Sequence, residues 1–96
     1  MTESINLQSR PARAQRLLAH KGDEELVLLD PEDGSYYTLD EVGARIWELA
    51  DGTRTAAQIA ETLDEEFDAP LETIQADLLE LLAELAASGL VTDAGA

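Results

Sequence analysis

Two periodicities divide the chain. Up to residue 39 the apolar residues come in short runs broken by turn formers, and beyond residue 40 they recur every three or four positions. The first pattern belongs to strands and the second to amphipathic helices. Leu26-Val27-Leu28-Leu29 is followed by Asp30-Pro31-Glu32-Asp33-Gly34 and then by Ser35-Tyr36-Tyr37-Thr38-Leu39. This order predicts a β-hairpin with strands over 25–30 and 35–39, Pro31 fixing φ in the turn and Gly34 taking the left-handed conformation. Upstream, Ala12 to Ala19 is read as a first strand, closed by the turn chemistry of Lys21-Gly22-Asp23. Alternation along 35–39 sets Tyr37 and Leu39 on one face and Tyr36 and Thr38 on the other. No later segment is an evident partner for the far edge of the 35–39 strand, and an uncovered edge can template an incoming peptide.

The helical half begins at Asp40, an N-cap with Glu41 behind it at the positive end of the helix dipole. Val42, Ile46, Leu49 and Ala50 keep helical spacing until Asp51-Gly52. Thr55-Ala56-Ala57-Gln58 is a capping box opening a second helix whose inner face is Ala56, Ile59, Ala60 and Leu63. Pro70 opens a third helix over 70–88, where Leu71, Ile74, Leu78, Leu81 and Leu85 follow a 3-4-3-4 spacing and Ser88-Gly89-Leu90 supplies the stop. A second row, Gln75, Leu79, Leu82 and Ala86, widens the apolar face to roughly 160°, more than docking on one neighbour requires. Three antiparallel strands followed by three helices is an α+β order, the outline of a winged helix-turn-helix domain. The predicted organisation is a flexible arm over 1–11, one domain over 12–92 with a strand stub at Leu90-Val91-Thr92, and a short tail over 93–96.

Charge changes what such a domain can be. The formal net charge is −15, and it is unevenly spread. Up to Lys21 four cations, Arg10, Arg13, Arg16 and Lys21, face Glu3 alone; beyond it only Arg45 and Arg54 oppose all the other acids. A field of that sign repels phosphate backbones and anionic membranes. The second helix offers Gln58, Glu61, Thr62, Glu65 and Glu66, and the third has no cation, so neither can serve as a DNA recognition helix.

Catalytic chemistry finds little footing. His20 is the only imidazole, and neither Ser35 nor Ser88 has a base within sequence reach. There is no cysteine. Asp30, Glu32 and Asp33 around Gly34 miss the calcium-loop spacing and read as a hairpin turn. Glu61, Asp64, Glu65, Glu66 and Asp68 read as a solvated helix face, and no phosphopantetheine Asp-Ser-Leu site occurs. The sequence therefore predicts no enzyme, metal or cofactor, and with no signal-like or membrane-spanning apolar run, a cytoplasmic protein.

Taken in order, Leu28-Leu29-Asp30 with Gly34, Tyr36-Tyr37-Thr38-Leu39-Asp40, Gly43-Ala44-Arg45-Ile46-Trp47, Asp51-Gly52 with Thr55, and Asp77-Leu78 with Leu81-Leu82, Leu85 and Gly89-Leu90 resemble the PqqD family, the stand-alone recognition element for ribosomally made precursor peptides. The resemblance spans 12–92 and implies a three-stranded sheet on three helices without enzymatic activity. It further implies that a precursor's leader adds as a strand antiparallel to 35–39, pairing with Ser35, Tyr36, Tyr37, Thr38 and Leu39. Gln75, Leu78, Leu79 and Leu82 would form the groove wall, with Asp77 a polar contact. The short, acidic chain is most similar to the recognition subunit of lasso-peptide systems. Implied partners there are a leader containing Tyr and Pro, a leader-cleaving cysteine protease and an ATP-dependent cyclase; the acidity favours a leader containing Lys or Arg. The alternative in the same family is a subunit serving a radical SAM enzyme in quinone-cofactor maturation. From the residues alone, Tyr36 and Tyr37 are also compatible with plain sheet packing, and the domain with a protein-interaction or self-association module.

Overall fold

A computed structural model describes residues 5–94. Five strands and three helices follow in the order β1 (Pro11–Arg13), β2 (Leu18–Lys21), β3 (Leu26–Leu29), β4 (Tyr36–Leu39), α1 (Glu41–Leu49), α2 (Ala56–Glu66), α3 (Leu71–Ala87) and β5 (Val91–Asp93). The central element is an antiparallel sheet in the order β2-β3-β4, followed by the three helices, as the hydrophobic pattern predicts.

The predicted first strand differs. Residues 12–19 do not form one strand: Pro11–Arg13 pairs with Val91–Asp93 in a separate two-stranded ribbon, and the central sheet takes Leu18–Lys21 instead. Turn geometry explains the shift. Gly22 N–H donates to Glu25 O, which sets Lys21 opposite Leu26 and Leu18 opposite Leu29. The aliphatic run has only four residues to offer before Asp30 turns the chain, so a longer partner would have nothing to pair with. The segment read as an arm is likewise part of the fold over residues 5–11. Ser9 is buried, and the carbonyls of Leu7 and Ser9 accept from Ala57 and Ala56 N–H, satisfying amides that the start of α2 leaves orphaned. Residues 1–4 of that arm lie outside the described residues. At the other end, Asp93 closes β5 and Ala94 N–H donates to Arg10 O, so the predicted tail begins inside the ribbon.

Local chemistry explains the helix boundaries. Asp40 Oδ1 accepts from Gly43 N–H at 2.8 Å. A Cβ at residue 43 would stand 3.2 Å from that oxygen and from Leu39 Cβ, so glycine lets α1 start hard against the end of β4. Arg13 donates to the carbonyls of Trp47 and Glu48 at 2.9 and 2.8 Å, capping α1's last turn from outside. Thr55 and Gln58 form the reciprocal capping box on α2. Gly89, at φ 73°, ends α3, and Leu90 N–H closes back on Leu85 O.

One core joins these elements. Leu26, Leu28 and Leu39 from the sheet meet Ile46 and Trp47 of α1, Ile59 and Leu63 of α2, and Ile74, Leu78, Leu82 and Leu85 of α3. Arg16 fixes the hairpin to the end of α3: its guanidinium reaches Asp30 Oδ2 at 3.1 Å and Gly89 O at 3.4 Å. Asp30 is thereby committed to structure, since its other oxygen accepts from Glu32 N–H inside the turn.

Candidate functional site, a strand edge beside a helix flank

Antiparallel pairing alternates, so every second residue of an edge strand directs its main chain away from its neighbour. Asp30 N–H donates to Ser35 O, which makes 30 and 35 a hydrogen-bonded pair. With Leu28 opposite Tyr37 and Leu26 opposite Leu39, the main-chain groups of Ser35, Tyr37 and Leu39 face β3. Those of Tyr36 and Thr38 face outward, and among the described residues no strand pairs with this side of β4. The edge predicted over 35–39 is therefore open at two residues. Ser35 is further engaged with Asp33, whose Oδ1 accepts from its N–H at 2.9 Å and its hydroxyl at 2.6 Å. These bonds hold the Asp33 carboxyl below its ordinary pKa.

Side chains alternate with the main chain. Leu39 is buried and Tyr37 half-buried against the core, while Tyr36 and Thr38 stand on the outer face. Burial raises the Tyr37 hydroxyl pKa, and the Glu84 carboxylate raises it further. The Glu84 carboxylate therefore lies within electrostatic reach of the Tyr37 hydroxyl. At about 100° per residue, Glu84 shares one flank of α3 with Leu81 and Asp77, all to one side of the Ile74, Leu78, Leu82 and Leu85 stripe.

This geometry sorts the residues predicted for the groove wall. Asp77 is exposed on the flank that carries Glu84. Leu78 and Leu82 are completely buried, so they belong to the core. Gln75 and Leu79 are half-buried on the other side of the Ile74, Leu78, Leu82 and Leu85 stripe from Glu84. Half-buried Leu81 and exposed Glu84 share the Asp77 side of the helix. The wheel sets Leu81 on the acidic border of the apolar stripe, whereas apolarity alone favours the other side.

Electrostatics differ sharply along the surface. Arg16 pairs with Asp30 and Glu32, Lys21 with Glu48, Arg54 with Asp51, and Arg45 with Glu48 and both oxygens of Glu66. The Arg45 pair lowers the Glu66 carboxyl pKa. Helix α3 has no such partner for Glu72, Asp77, Glu80 or Glu84 among the described residues. At the end of β4, Asp23, Glu24, Glu25 and Asp40 rim a shallow depression with Thr38 and Leu39. Slot and rim thus present main-chain hydrogen-bonding groups, apolar surface and uncompensated negative charge. Among the described residues no three His, Asp or Glu side chains gather as a metal site, and no helix is long and apolar enough to cross a membrane. His20 stands exposed on β2, away from the slot.

Known proteins resemble this chain in sequence and in fold. A PqqA binding protein of Xanthomonas oryzae pv. oryzae (strain KACC10331 / KXO85) is 44% identical over 84 residues, covering 85% of this chain and 89% of its own. The structure of TbiB1 in complex with the TbiA(beta) leader peptide superposes with a TM-score of 0.74 at 30% identity, over 83% of this chain and 93% of that one. The solution structure of the PqqD truncation of Methylobacterium extorquens PqqCD, a stand-alone recognition element for ribosomally synthesised, post-translationally modified peptides, gives a TM-score of 0.71 at 31% identity, over 85% and 87%. The family model for coenzyme PQQ synthesis protein D (PqqD) matches residues 25–91, across the hairpin and all three helices. With that match and those relatives, the chain belongs to the PqqD family.

Proposed function

We propose that this chain is a non-catalytic adaptor that takes the leader of a ribosomally made precursor peptide as a fourth strand on β4 and presents it to processing enzymes. One observation carries the reading: the outward main chain of Tyr36 and Thr38 lies open on the edge of the sheet, in a strand whose Tyr37 feels the Glu84 carboxylate of α3. An incoming antiparallel strand gains main-chain hydrogen bonds at those two residues, and its side chains opposite Ser35, Tyr37 and Leu39 enter the slot toward α3. Its N-terminal end then lies at the Leu39 end of β4, next to the acidic rim of Asp23, Glu24, Glu25 and Asp40. Lysine or arginine at that end speeds capture and makes it salt-dependent.

Relatives at 44% identity bear the name PqqA binding protein, and TbiB1 holds a leader peptide, which supports this role for both quinone-cofactor and lasso-type precursors. The enzymes served are a radical SAM enzyme in the first case and a leader protease with a cyclase in the second. The domain then works in the cytoplasm, where such precursors are made, as a winged helix-turn-helix scaffold turned from nucleic acid to peptide.

The test is a titration of isotope-labelled protein with synthetic Xanthomonas oryzae PqqA and, separately, synthetic TbiA(beta) leader. Amide shifts concentrated at 36–38 and 77–84 are expected with one of them, and the tighter peptide identifies the precursor class. Shifts confined to other surfaces, or no binding at micromolar protein, would refute the adaptor reading.

A further inference from the structure

The outer face of the sheet, turned away from the core and from α3, carries an apolar row that the slot does not use. Five large hydrophobic side chains are exposed among the described residues, and three of them, Leu18 at 57%, Leu29 at 38% and Tyr36 at 74%, belong to this face. Register makes them neighbours: Leu18 stands directly opposite Leu29, and Leu29 directly opposite Tyr36. They form one line across all three strands, and the line ends at the open edge of β4 with its most exposed member. The next row along the face, His20, Val27 and Thr38, is polar at both ends.

Aligned exposed hydrophobic residues on a small soluble domain mark a surface that something covers. A second copy of the chain suits it poorly, because each copy carries a formal charge of −15 and would repel the other. Continuity with the open edge identifies the occupant. A strand added to β4 places one residue directly across from Tyr36, hydrogen-bonded to its outward main chain, with the side chain on the same outer face.

We infer that this peptide residue is bulky and apolar, so that it packs on the Tyr36 ring and extends the row of Leu18, Leu29 and Tyr36 to a fourth strand. The inference rests on the strand-addition reading and adds a second recognition face to it. Residues of the peptide one position to either side point into the slot toward α3, whereas this one stays on the outer face. Recognition then reads the leader from both sides, with an aliphatic or aromatic side chain required at a single outward position.

The experiment uses the full chain and its Tyr36→Thr variant, in which threonine keeps a strand-forming residue at an exposed position. Each position of the synthetic TbiA(beta) leader and of synthetic Xanthomonas oryzae PqqA is replaced singly by threonine, and Kd is measured against both proteins. Tyr36→Thr is expected to weaken the unsubstituted peptide about threefold to fivefold, the scale of one cross-strand aromatic pair. That loss should vanish when one particular peptide residue, a bulky apolar one, is already threonine, and should persist in full when either adjacent residue is replaced. Affinity unchanged by Tyr36→Thr, coupling without positional preference, or coupling to a polar or charged residue each overturns the inference and leaves strand addition standing. Failure of both peptides to bind the unaltered chain overturns strand addition and this inference together.

Discussion

The three-stranded sheet has two edges, and they are treated differently. On β2 the outward main-chain groups belong to Ala19 and Lys21, because Gly22 pairs with Glu25 and the register alternates from there. Lys21 sits on that edge with its ammonium 3.9 Å from Glu48, and Ala14, Gln15 and Leu17 of the preceding turn border the same depression as Ala19. A lysine and an adjoining loop are ordinary ways to keep an edge from recruiting another strand. On β4 the sequence Tyr36-Tyr37-Thr38-Leu39 has no charge, no proline and no extra residue to break the ladder. It lies beside a helix flank. Two edges of one small sheet share solvent and fold, so the absence of protection on β4 is a property of β4 and not of the architecture.

The largest expected effect tests where the slot ends and the core begins. Leu82 is completely buried, so Leu82→Asp should unfold the domain at room temperature, as an unpaired buried carboxylate commonly costs more than about 4 kcal/mol. Circular dichroism and thermal denaturation decide it. A Leu82→Asp protein that folds and has lost only peptide affinity would return the wall to the Leu79 flank of α3. Next in size is a proline placed on each edge in turn. Thr38 and Ala19 both direct their N–H outward, so proline at either is tolerated by the existing ladder. Thr38→Pro should weaken leader binding at least about tenfold by removing a donor and crowding the incoming strand, while Ala19→Pro leaves it unchanged. Equal losses would mean that β2 serves as an edge too. Tyr37→Pro cannot replace this test, since the Tyr37 main chain faces Leu28 and its loss weakens the fold itself.

Most of the fold was legible because local chemistry and global pattern agree in it. Asp40, the Thr55–Gln58 capping box and Gly34 sit where the sequence put them, each fixed by contacts with residues within four positions. What escaped was long-range. Nothing within Pro11–Arg13 announces that its partner is Val91–Asp93, and nothing within 5–10 announces that its carbonyls end on the amides of α2. The site was half legible for a related reason. Alternation along 35–39 assigns side chains to faces, but which residues turn their main chain outward depends on the Asp30–Ser35 bond, and a helical wheel cannot tell which flank of α3 meets the sheet.

A smaller effect addresses that flank by charge. Glu84→Lys should weaken a leader carrying lysine or arginine about threefold to fivefold at low salt, with the difference shrinking near 0.5 M salt, and Glu72→Lys on the far flank should act less. The two variants have the same net charge, so the contrast between them reports position and not the overall field. Equal weakening would assign the attraction to the whole acidic surface and leave the β4 slot distinguished by its main chain alone.

The smallest effect reads the same geometry without any peptide. Burial and then Glu84 raise the Tyr37 pKa, which means that the folded protein holds the phenol proton more tightly than the unfolded chain does. The sign follows: this contribution to stability is fully present below the ordinary tyrosine value of about 10 and is lost as pH rises through the higher folded value. Glu84→Gln removes the second cause and keeps the first, so the Tyr37 titration, followed by ring resonances, should move down toward the ordinary value without reaching it. Glu72→Gln should leave it in place. If instead Glu72→Gln moves Tyr37 and Glu84→Gln does not, α3 presents its other flank to β4, and Gln75 and Leu79 become the residues that a bound strand would meet.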